Sequence, residues 1–150
     1  MINKTIIIET QLAATPETVW NFLTTPSLLA EWLMPNNIIL EKGREFHFKT
    51  KSRVKLGFDG LITCQIFKLK QNSEISYSWQ GILAHEQHSL ETTVTWTIVP
   101  TKTTHQTILR LKQEGFIGFK NLIPFALLQK NWERLLTKKL PDAIAKHEVV

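Results

Sequence analysis

The sequence predicts an α+β fold: a curved antiparallel sheet of about six or seven strands around one long C-terminal helix, with two short helices after the first strand. Three observations predict it. Two Thr-Pro steps lie ten residues apart near the start, at Thr15-Pro16 and Thr25-Pro26. A run of segments with apolar residues at every second position follows. The last part of the chain returns to helical spacing, with Leu128, Trp132, Leu135 and Leu136 at i, i+4, i+7 and i+8.

The first segment, "TIIIETQL", is read as a strand. Each Thr-Pro then opens a short helix, about 16–24 and 26–33. Threonine can cap the orphan amides of a first turn, and proline fits the first helical position. Pro26 disfavours helical geometry at Thr25, so the first helix should end there. Val19, Phe22 and Leu23 share one face of the first helix, and Leu28, Leu29, Trp32 and Leu33 make the second broadly apolar. Two short helices at a corner suit the edge of a curved sheet better than a bundle.

Alternation then marks the strands. Phe46 and Phe48 alternate with Glu45, His47 and Lys49; Ile75, Tyr77 and Trp79 with Ser76, Ser78 and Gln80. Leu90, Thr92, Val94, Trp96 and Ile98 form one face of "SLETTVTWTIVP", and Thr107, Leu109 and Leu111 one face of "HQTILRLKQ". Such alternation gives one buried and one wet face, as in antiparallel sheets. "GFDGLITCQIFKLK" reads as a long strand with little alternation, bulged near Gly60. The final helix should begin near Asn121–Pro124, and Pro141 should end or kink it, with Asp142–Lys146 a weak continuation.

The 150 residues are read as one domain, 1–150, and 43% hydrophobic content is enough for a core that needs no disulfide. The single cysteine, Cys64, suits a reducing compartment. Ile6-Ile7-Ile8 is too short for a secretory h-region, and no stretch approaches the roughly 20 apolar residues of a membrane span, so the expected location is cytoplasmic. The net charge of +5 raises an anionic surface or nucleic acid as a partner without establishing either, and no nucleic-acid partner is expected.

These pieces carry a resemblance. "ATPETVWNFLTTPSLLAEWLMP", "EKGREFHF", "FDGLITCQIFKLKQNSEISYSW", "VTWTIVP", "QEGF" and "NWERLLTKKL" resemble the SRPBCC superfamily, also called START-like or helix-grip. Within it they resemble the homologues of the activator of the heat-shock-protein-90 ATPase. The resemblance runs from about Ile6 to Leu140. It departs at Gly43, where the family often has paired glycines, and at Asn131, where it often has glycine. It implies a cup of antiparallel strands with a cavity under the C-terminal helix. It does not imply one activity.

His85 and His88 form H-x-x-H, but a metal needs three or four ligands, and a polar turn is the favoured reading. His47 should face outward. Cys64 reads as a small buried apolar residue, since no cation adjoins it in sequence. Asp59 and Glu114, each beside a glycine, could project into a cavity as acid–base groups. Lys49, Lys51, Arg53 and Lys55 recur with period two and would make one basic stripe on a continued strand. No aromatic on the same face offers a stacking platform, so a solvated hairpin tip is favoured over a phosphate-binding stripe. No G-x-S-x-G, Walker loop, dinucleotide fingerprint or H-E-x-x-H occurs. No catalytic residue, metal or cofactor is assigned.

The aromatic residues carry the leading expectation, a pocket between sheet and helix. Its candidate lining is Phe46, Phe48, Tyr77, Trp79, Trp96 and Trp132, with Trp32, Val94, Leu109, Phe116 and Leu128 around them. Tyr77, Thr92 and Thr107 would supply hydroxyls. Thr92, a small polar break in an apolar row, marks either space for a guest or a place filled by a neighbour. The expected function is binding of a small apolar or amphipathic molecule by a monomer or weak dimer. The alternatives are a co-chaperone-like contact with a heat-shock ATPase and, less favoured, a cavity-based cyclase or hydrolase.

Overall fold

The fold was obtained as a computed structural model, which describes residues 2–50, 58–83 and 89–148. Strand β1 (Asn3–Leu12) is followed by α1 (Pro16–Thr24) and α2 (Pro26–Trp32). Then come β2 (Glu45–Lys49), β3 (Phe58–Lys70), β4 (Glu74–Leu83), β5 (Ser89–Pro100) and β6 (Thr107–Ile117). A 3-10 turn at Phe119–Asn121 leads into α3 (Leu122–Arg134), a π turn at Leu135–Lys139 and α4 (Leu140–Glu148). The six strands form one antiparallel sheet in the order β1-β6-β5-β4-β3-β2. The first strand therefore pairs with the last, and β1 and β2 are the edges.

The alternation of β5 and β6 maps directly onto burial. Leu90, Thr92, Val94, Trp96 and Ile98 face inward, as do Thr107, Leu109, Leu111 and Gln113. In β3 the buried residues Ile62, Cys64 and Ile66 also alternate, but Leu61 and Phe67 put apolar side chains on the solvent face and blur the pattern. The register shifts between Phe58 and Ile62, where Gly60 has φ +87°, as expected of a bulge near that glycine. Gly115 in β6 has φ +115°, and a Cβ there would lie 2.9 Å from the Glu91 carbonyl oxygen. The close approach of β5 and β6 at this point admits only glycine.

The corner between α1 and α2 forms as expected, but its two threonines differ. The Thr15 hydroxyl accepts from the Thr18 amide at 3.2 Å, a side-chain cap. Thr25 makes no such bond, contrary to the expectation of a second cap. Its backbone serves both helices instead: its N–H closes α1 on the Asn21 carbonyl, and its carbonyl accepts from Leu29 to open α2. Pro26 fixes the first position of α2 without help from the hydroxyl.

Pro141 does not end the C-terminal helix. A proline ring collides with the carbonyl four residues back, here Thr137. The π turn widens the helix just before it, so the Leu140 amide bonds to Leu135, five residues back. The chain then continues as α4. The far end is fixed on the short helices. His147 lies 2.6 Å from a Glu31 carboxylate oxygen, and its ring meets Phe22 edge-on. No helix of the described residues is long and apolar enough to cross a membrane.

Candidate functional site

The inner face of the sheet carries an aromatic cluster. Phe46 meets Tyr77 at 5.1 Å between ring centroids, and Phe48 meets Trp79 at 5.3 Å. Trp132 descends from α3 between Trp79 and Trp96, at 5.5 and 5.4 Å. Trp32 of α2 packs edge-on against Trp96 and donates its indole N–H to the Phe22 carbonyl. The structure thus brings together Trp32, Phe46, Phe48, Tyr77, Trp79, Trp96 and Trp132, all buried. Leu128 faces the same interior from α3, and Phe116 meets Phe125 at 5.4 Å nearer the start of that helix. Thr107 and Leu109 lie towards the other end of β6, paired with Leu12 and Thr10 of β1.

A chain of hydrogen bonds runs through this interior. The Trp132 indole N–H donates to the Gln113 side-chain oxygen at 2.8 Å. The Gln113 amide donates to the Thr92 hydroxyl at 2.9 Å, and that hydroxyl donates to the Trp79 carbonyl at 3.0 Å. Thr92 is therefore engaged at the junction of β4, β5 and β6, and its small size does not signify space left for a guest. Thr107 is engaged too, donating to the Ala14 carbonyl at 2.7 Å where β1 turns towards α1. Its hydroxyl takes part in that closure.

Gln113 was not singled out from sequence, yet it is the central polar residue of the interior, fully buried. The signal was present, since it continues the inward parity of Thr107, Leu109 and Leu111. Each glutamine amide has two hydrogens to donate. Thr92 takes one from Gln113, and among the described residues the other has no acceptor. Tyr77 is in a similar position. Its oxygen accepts from the Trp96 indole at 2.8 Å, and its own hydrogen has no acceptor among the described residues. Burial foremost, then the nearby Cys64, hold the Tyr77 phenol above its usual range, while the Trp96 bond pulls the other way. The phenol stays protonated and remains a donor.

The sheet register sets these two donors in one row. Tyr77 pairs with Val94, and Val94 with Gln113. All three face inward, so Tyr77 and Gln113 stand two strand spacings apart, roughly 10 Å, across the short Val94 side chain.

The remaining candidates separate from this site. Cys64 is buried, and desolvation pushes its thiol well above the usual range, which makes it inert. Glu114 lies on the outer face, exposed and 3.7 Å from Lys112, so it is not an acid–base group of the interior. His47 faces outward beside Glu45. His85, His88, Lys51, Arg53, Lys55 and the side chain of Asp59 lie outside the described residues. Among the described residues no group of three or more His, Cys, Asp or Glu could hold a metal. A surface groove of about 500 Å³ on the outer face is lined by Asn3, Gln80, Glu91, Glu114 and their neighbours. Another of about 380 Å³ lies between Pro35–Asn37 and His47, Lys49 and Leu61.

Comparison with known proteins agrees with the architecture. The family described as "Activator of Hsp90 ATPase homolog 1-like protein" matches residues 13–145. The chain belongs to this family. No curated protein matches. Protein MLL2253 from Mesorhizobium loti superposes with a TM-score of 0.81 at 29% identity, over 95% of this chain and 98% of that one. PFC0360w, an HSP90 activator from Plasmodium falciparum, gives 0.72 at 16% identity, over 94% and 96%. The Aha1 dimer from Colwellia psychrerythraea gives 0.69 at 20% identity, over 96% of each chain. The last two likenesses establish the helix-grip fold alone.

Proposed function

We propose that this chain binds a small amphipathic molecule between its sheet and C-terminal helix, holding an acceptor oxygen of the guest between Tyr77 and Gln113. One observation carries the reading: two buried donors, each with a hydrogen to spare, flank Val94 in an otherwise aromatic interior. Buried donors seek acceptors, because leaving one unmade costs the desolvation of the group. Small-molecule sites combine an apolar lining with a few placed polar groups. Val94 takes over the position that the sequence suggested for Thr92. The lone buried Cys64 fits a reducing, cytoplasmic setting for such a binder.

The test is a melting screen of the whole chain against amphipathic carboxylates, ketones and sterol-like compounds. A ligand that binds the native state raises the midpoint by mass action. Val94→Phe should remove the shift for any hit while keeping the native spectrum. A hit unaffected by Val94→Phe places binding elsewhere, and a library without hits overturns the reading.

A second reading is a co-chaperone-like contact with a heat-shock ATPase, by a monomer or weak dimer. Family membership supports it, as do the relatives described as an HSP90 activator and as a dimer. Pull-down with purified heat-shock-protein-90 and an ATPase assay would test it directly.

A further inference from the structure

We propose that the first half of the C-terminal helix is a docking face for anionic lipid bilayers, made by Phe119, Ile123 and Leu127 with Lys120, Lys130 and Arg134. Phe119 is 81% exposed, Ile123 67% and Leu127 41%. Single exposed apolar residues are ordinary, but large ones grouped within two turns mark an interaction surface. Ile123, Leu127, Lys130 and Arg134 stand at i, i+4, i+7 and i+11, one flank of a helix. That flank is separate from the one formed by Pro124, Leu128 and Trp132, which is buried against the sheet.

The charge around it identifies the occupant. From Lys120 to Lys139 the chain has Lys120, Lys130, Arg134, Lys138 and Lys139 but only Glu133 as an acid. Among the described residues none of these basic groups is in an ion pair. A helix with apolar residues on a basic flank matches the interface of an anionic membrane, where side chains enter the headgroup layer and cations meet acidic lipids. With no helix able to cross a bilayer among the described residues, the attachment is peripheral. It does not depend on whether the interior holds a guest.

The experiment is vesicle flotation of the whole chain. Phosphatidylcholine vesicles are compared with vesicles of phosphatidylcholine and phosphatidylserine, at low and high salt. The bound fraction should rise about tenfold with phosphatidylserine at low salt and fall back at high salt. The double variant Ile123→Asp, Leu127→Asp should lose binding, and Lys130→Glu, Arg134→Glu should lose the preference for phosphatidylserine. These side chains are exposed, so an unchanged melting midpoint confirms that the fold is kept. Equal binding to both vesicles, no binding, or binding unaltered in the double Asp variant overturns the proposal. Loss of a protein complex in that variant, without vesicle binding by the parent, would assign the face to a protein partner instead.

Discussion

Trp132 on the C-terminal helix donates its indole N–H to Gln113 on β6 across 2.8 Å, within the fully buried interior. This bond joins the helix to the sheet where two further tryptophans, Trp79 and Trp96, clamp the same ring. Trp132→Ala should cost roughly 3–5 kcal/mol, as for other buried aromatics. Gln113→Leu should cost about 1–3 kcal/mol, because it leaves the Trp132 donor without its acceptor. Lys138→Ala, on the exposed side, should stay within about 0.5 kcal/mol. Urea denaturation of the three variants checks the order; equal effects would mean that the ring and the amide do not anchor the helix.

The two threonine-proline corners make opposite predictions. Thr15→Ala removes a hydroxyl cap on Thr18 and should cost about 1 kcal/mol. Thr25→Ala removes no cap and should cost no more than about 0.5 kcal/mol. Comparable losses in chemical denaturation would contradict the assignment of a single capped corner.

Gly115→Ala should be among the most damaging small substitutions in the chain. The added Cβ meets the Glu91 carbonyl at 2.9 Å and must adopt φ +115°. Gly43→Ala also needs a positive φ, +88°, but meets nothing within 4 Å. Thermal unfolding should therefore show a larger drop for Gly115→Ala than for Gly43→Ala. The reverse order would mean that β5 and β6 separate easily beside Gly115.

Cys64 makes stability pH-dependent on the alkaline side. Its folded-state pKa is raised by burial, so the folded chain holds the proton to higher pH than the unfolded chain. Below the unfolded value, about 8.5, the thiol is neutral in both states and has no effect. Above it the unfolded state loses the proton first, and stability falls as pH rises. Denaturation of the parent and Cys64→Ala from pH 7 to 10 should show a steeper alkaline decline in the parent. Parallel curves would contradict the burial of the thiol.

Much of this fold was legible because one-sided burial imposes a period on a strand. The faces of β5 and β6 could be read residue by residue, and so could the helical seam of Leu128 and Trp132. The pattern failed in β3, where Leu61 and Phe67 place apolar side chains in water for no reason that spacing can reveal. Pro141 was read by its usual effect, and the π turn that accommodates it leaves no mark in the sequence. The candidate site was half legible. Parity gave Tyr77, Trp79, Thr92 and Val94 their direction, but hydrogen bonds decide which polar groups are engaged. Thr92 and Thr107 proved to be tied to carbonyls, and Gln113, with the correct parity, was passed over because glutamine ordinarily lies on the wet face of a strand.

The most direct measurement is the affinity of a hit from the screen, compared with its analogue in which CH₂ replaces the acceptor oxygen. Titration calorimetry would be run on the parent chain and on Tyr77→Phe. If Tyr77 donates to the guest, the variant should bind the oxygen-bearing ligand about fivefold more weakly, the equivalent of one net hydrogen bond of about 1 kcal/mol. Its affinity for the analogue should not change. Equal affinities of parent and variant for the oxygen-bearing ligand would contradict the account.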